Sequence, residues 1–216
     1  MNQTAMMLDF SDFFEALAQS HTPSPCDGFG LDHVKRVRDL AWKIQDQHGG
    51  DWAVIQAAAL LHHVSGSDET KASGCVVAER VEILLNETQY DDSFVSEVTS
   101  CITQMPFACH DMVKTREAQV LWDANQLEWL GMTGLARLFV RAGKVGAPLL
   151  GLDASMAPMK DPFAPHQASV QAMVFYVSSR MSQSMFTEVG RGLASQRFEM
   201  MEAFFARIAA ERFVQR

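Results

Sequence analysis

Four side chains capable of holding a metal ion stand in three separate stretches of this 216-residue chain. His33 stands in LDHVKRV, His62 and His63 are adjacent in ALLHHVSGSDE, and Asp123 interrupts the apolar run VLWDANQLEWLG. Neutral imidazoles and a carboxylate are the donors used for zinc and its neighbours. A carboxylate between Trp122 and Ala124 is costly to bury without a partner, and a cation offsets that cost. Successive residues on a helix point about 100° apart, so His62 and His63 do not share a face. At a helix end they can still converge on one ion, because the ion need not lie over the helix side.

The elements that must present these groups have helical spacing. Val34, Val37, Leu40, Ala41 and Ile44 mark one face of a helix opening near Asp32 and closing at His48-Gly49-Gly50. Asp51 is placed to cap the next helix, with Ile55, Ala58, Ala59 and His62 on one side and Gly66 just past its end. A helix over 73–88 follows, carrying Val76, Val77, Val81, Leu84 and Leu85, and another over 92–104 stops before Pro106. Thr115 is a suitable cap for TREAQVLWDANQLEWLG, and TGLARLFVRAG is a further short helix. Four of the seven prolines fall in 145–167, which predicts a long irregular loop. Helices over about 166–182 and 187–214 close the chain, the last with Phe198, Met201, Phe204, Phe205 and Ile208 on a broad apolar stripe. No strand-like alternation persists. The expected fold is all-α: an N-terminal helix near 11–19 with a linker in 1–28, then one helical domain over 29–216.

Composition narrows the function. A net charge of −8 argues against gripping a nucleic-acid polymer or an anionic membrane, and no apolar run is long enough to span one. Cys26, Cys75, Cys101 and Cys109 form no C-x-x-C pair, which fits a reducing, cytoplasmic setting. Cys109-His110-Asp111 has the residue types of a nucleophilic triad, but adjacent residues rarely align as one, so a solvated turn is the expectation. His166 is expected to cap a helix, and the abundant methionines to fill core.

In order, DHVKRV, ALLHH and LWDANQLEWLG resemble the HD-domain phosphohydrolase superfamily, above all its small bacterial single-domain members. The likeness runs over about residues 29–212 and includes GMTGLARLF and LASQRFEMMEAFF. It implies a helical domain holding a divalent metal through His33, His62 and Asp123, with His63 at the place of the family's paired Asp. It implies hydrolysis of a phosphomonoester or nucleotide by an activated water, with His62 and Asp123 as catalytic groups. Lys35, Arg36 and Arg38 beside His33 read as a solvated helix face, from which Arg36 is the candidate to meet a substrate phosphate. Other departures are Phe29, where a further His is usual, Gln104-Met105-Pro106, where another is, and Val64-Ser65-Gly66-Ser67, where a basic residue is common. Asp68 and Glu69 would add negative charge at the pocket mouth. Because His supplies neither charge nor a hard oxygen, the set favours one zinc, nickel, cobalt, iron or manganese ion over magnesium. The rival expectation is a catalytically impaired protein of the same fold that binds a ligand or a partner. A homodimer is compatible with either.

Overall fold

The computed structural model describes residues 3–22, 30–64, 74–150 and 169–212, and every regular element among them is helical. Gly66, Asp68, Glu69, Phe29, His166 and the 151–167 part of the expected proline-rich loop lie outside the described residues. In chain order the elements are α1 (Gln3–His21), α2 (Leu31–His48), α3 (Trp52–Leu61), α4 (Gly74–Asn86) and α5 (Asp92–Thr103). A 3-10 helix (Phe107–Met112) precedes α6 (Arg116–Leu127), α7 (Gly131–Val145), α8 (Val170–Gln183) and α9 (Glu188–Arg212). Contacts gather the chain into two compact units, Met1–Asn125 and Gln126–Arg216.

The first unit is built around α3. Val54 through Leu61 are all buried, so the helix is apolar on every side and needs neighbours all round. It packs against α1, α2 and α5. α2 turns His33, Val34, Val37, Ala41 and Ile44 inward, so its buried stripe ends in an imidazole. The break between α2 and α3 follows from its residues. Gly49 at φ 82° and Gly50 at φ 105° take backbone that L side chains avoid. The Asp51 carboxylate then accepts the Ala53 N–H at 2.8 Å, which satisfies an orphan donor of α3. Thr115 caps α6 similarly, accepting the Ala118 N–H at 3.1 Å.

α1 is longer than the expected 11–19 segment. Fully buried Phe14 anchors it among Phe10, Tyr90 and Phe94, with ring centroids 4.7–6.3 Å from Phe14. Glu15 pairs with Lys35 at 2.6 Å and with Arg38 on α2. In α4, Val77, Val81 and Leu85 are buried as the spacing predicts, whereas Val76 is 40% exposed and lies off the stripe.

The second unit contains α7, α8 and α9, each packed on the other two. Fully buried Met201 on α9 places its sulfur 3.1 Å from the Gly131 N–H and 3.3 Å from the Ser178 hydroxyl, accepting from both. Gly134 is required by close approach: a Cβ there would sit 2.2 Å from the Trp129 carbonyl oxygen.

Candidate metal centre

His33 is the third residue of α2 and His62 is the C-cap of α3, so a helix start and a helix end bring them together. Their Nε2 atoms are 3.3 Å apart. His63 completes the group, with its ring centroid 5.0 Å from that of His33 and 4.5 Å from that of His62. One donor atom from each of the three lies within 4.8 Å of the other two. His33 and His62 are buried, and His63 is half-buried.

The hydrogen bonding of His62 decides which nitrogen it offers. Its Nδ1 lies 2.7 Å from the Ala59 carbonyl oxygen. A carbonyl only accepts, so Nδ1 carries the proton and Nε2 of the neutral ring presents a lone pair. That Nε2 faces His33. Such an outer hydrogen bond fixes ring orientation and raises donor strength in metal sites. Donors held 2.0–2.1 Å from one tetrahedral ion are about 3.3–3.4 Å apart, the spacing of this imidazole pair. The last turn of α3 adds its own field. Carbonyl ends of helices carry a partial negative charge, which favours a cation beside His62. The donor set therefore fits a divalent ion.

Of the four expected ligands, the structure brings together His33, His62 and His63. Asp123 is fully buried on α6 beside Leu121, Trp122 and Ala124, and it is not a member of the three-imidazole group. Arg36 stands one turn beyond His33, partly exposed, with its guanidinium 2.7 Å from Asp32; that hydrogen bond holds the Asp32 carboxyl below its ordinary value. Cys109, His110 and Asp111 lie in the 3-10 helix rather than a simple turn, and the His110 ring meets Trp122 edge-on at 5.2 Å. They form no triad.

No family profile matches the chain. The uncharacterized protein YpgQ of Bacillus subtilis is 27% identical over 193 residues, covering 86% of this chain and 85% of YpgQ. The crystal structure of Bacillus subtilis YpgQ in complex with ADP superposes with a TM-score of 0.71 at 26% identity, covering 93% of this chain and 97% of that one. An HD-superfamily hydrolase from Bacillus thuringiensis gives 0.72 at 23% identity, covering 99% and 100%. The chain has the HD-type fold. Sequence reasoning passed over one buried ionic group. Glu128 and Arg137 are both buried, 3.7 Å apart, with Arg137 also donating to the Glu128 carbonyl and lying over Trp129. A carboxylate in the same apolar run as Asp123 was the available signal.

Proposed function

We propose that this protein is a metal-dependent phosphohydrolase of the HD type, acting on a nucleotide or another small phosphate ester. One observation carries the reading: two imidazoles from adjacent positions and a third from 29 residues earlier meet with donor atoms within 4.8 Å. The complex of YpgQ with ADP supports a nucleotide as the first substrate class to test. In this reading His33, His62 and His63 would hold one divalent transition ion, and Asp123 would supply the carboxylate that the HD resemblance places beside it. When bound, such an ion polarises a phosphoryl oxygen and acidifies water from a pKa of about 15.7 towards about 7.

The chain's own groups do the rest. The Ala59 carbonyl keeps the proton on Nδ1 of His62, so its Nε2 stays available as a donor. Asp123, shielded from bulk solvent, would orient the attacking water and accept its proton. Arg36 meets the phosphate, for which its hydrogen bond to Asp32 must open.

A second reading has one specific observation in its favour. His63 occupies the place of a carboxylate, and an added imidazole can close the open position that turnover needs, which leaves a ligand-binding module. The test is metal analysis of protein purified without chelator, followed by turnover of nucleoside di- and triphosphates and simple phosphomonoesters. Bound metal with turnover that falls at least about 100-fold in His62→Ala supports the hydrolase. Absence of turnover on every ester by the metal-loaded protein establishes the binding module instead.

A further inference from the structure

We infer that His63 is the residue that decides which ion this protein takes: it turns the site into a nitrogen-rich centre for a single zinc-like ion and bars magnesium. The inference rests on the metal-binding part of the functional proposal and not on its hydrolytic part.

Three observations lead to it. First, every member of the group is an imidazole, and the donor atoms lie within one 4.8 Å span. Magnesium requires hard oxygens in near-ideal octahedral array and gives up water reluctantly, whereas imidazole suits zinc, copper, nickel and iron. Second, the 3.3 Å separation of the His33 and His62 Nε2 atoms matches the edge of a compact tetrahedral shell. Third, the Ala59 carbonyl commits His62 to ligation through Nε2, so this nitrogen is held in place by main chain rather than by a mobile side chain.

His63 is the discriminating member because of its place and its charge. His33 is fully buried and His62 nearly so, at 0% and 7% exposure, while His63 is half-buried on the solvent side of the group. A carboxylate at position 63 would contribute a negative charge and two oxygens, one of which could bridge to a second ion. An imidazole contributes one neutral lone pair and cannot bridge in that way. With His63, the three described members of the group are all neutral donors and none brings a negative charge to the ion. Affinity then follows ligand softness and the ordinary rise from manganese towards copper and zinc.

The test reads binding rather than turnover. Metal-stripped protein and the variants His63→Asp and His63→Ala are titrated with zinc, cobalt, manganese and magnesium, using competition with a chromophoric chelator and the visible spectrum of cobalt. The wild type is expected to bind one zinc or cobalt ion per chain, with intense low-coordinate cobalt bands and magnesium at least about 1000-fold weaker. His63→Asp is expected to lower the zinc-to-manganese affinity ratio at least about tenfold, and His63→Ala to weaken zinc about 10–100-fold. X-ray absorption of the zinc-loaded wild type gives a variant-free count, with three imidazoles expected. Two imidazoles, two ions per chain, magnesium rivalling zinc, or an unchanged ratio in His63→Asp would each overturn the inference. A zinc-selective protein that hydrolyses nothing would sink the hydrolase reading and leave this one standing.

Discussion

Burial does different things to different side chains of this protein. At His62 it is compensated at Nδ1, whose N–H finds the Ala59 carbonyl at 2.7 Å. At Cys101 it is not. Removal from water, with Glu117 and Glu97 adding to it, pushes the thiol up to about 12, against a smaller opposing hydrogen bond with Thr115. Thiolate is the reactive species, so at pH 8 Cys101 presents almost none of it. Cys75 on α4 is exposed. Brief treatment of the native protein with a thiol reagent at pH 8, read by peptide mass mapping, should therefore modify Cys75 and spare Cys101. Cys101 should react only after unfolding, and its modification at a rate near that of Cys75 would refute the assignment. The same contrast explains what the sequence disclosed about single residues. Asp123 drew notice because a carboxylate stood among apolar neighbours, and it is fully buried. Glu128, five positions later, satisfies the same rule and was passed over, since its partner Arg137 comes from the following helix and no local spacing announces it.

Helix ends were legible where a side chain or a glycine makes them. Asp51, Thr115 and Gly49 act locally, and the boundaries they imply agree with the structure to within about a residue or two. Where tertiary packing sets the end, the reading slipped. α7 begins at Gly131 rather than Thr133, because Gly131 takes φ 73° beside Arg197 and its N–H is received by Met201 from α9. α1 likewise extends beyond the expected 11–19 at both ends. Its attachment to α2 depends on Glu15, which lies between Lys35 and Arg38. Desolvation pushes this carboxyl upward, but the hydrogen bonds from Lys35 and Arg38 outweigh it and the net shift is downward from 4.5. A lowered carboxyl contributes stability above its unfolded value and loses it as pH falls through the folded value. Between pH 5 and pH 3 the wild type should lose more melting temperature than Glu15→Gln. At pH 7 and low salt Glu15→Gln should be the less stable by at most about 1 kcal/mol, since the group is partly solvated. Parallel acid profiles for the two proteins would show that the pair contributes nothing.

At the scale of the whole molecule, charge and hydropathy exclude more than they identify. The chain carries −8, and no helix among the described residues is long and apolar enough to cross a membrane. The confinement of the three imidazoles to one compact unit has a sharper consequence. His33, His62 and His63 all belong to Met1–Asn125, while α8 and α9 belong to Gln126–Arg216. A ligand stabilises only those states that keep its site intact, by about 2.7 kcal/mol when present at 100 times its dissociation constant. That corresponds to a protection factor of about 100 for amides whose exchange requires opening of α2 or α3. Amides of α8 and α9 that exchange through local openings of their own unit keep the ion bound and gain nothing. Hydrogen exchange with and without saturating zinc should thus show a rise concentrated in Leu31–His48 and Trp52–Leu61 and little change in Val170–Gln183. His62→Ala should abolish the rise without altering protection of α8. An equal gain in both units would mean that they open only together, and a gain confined to the second unit would place the ion away from the three imidazoles.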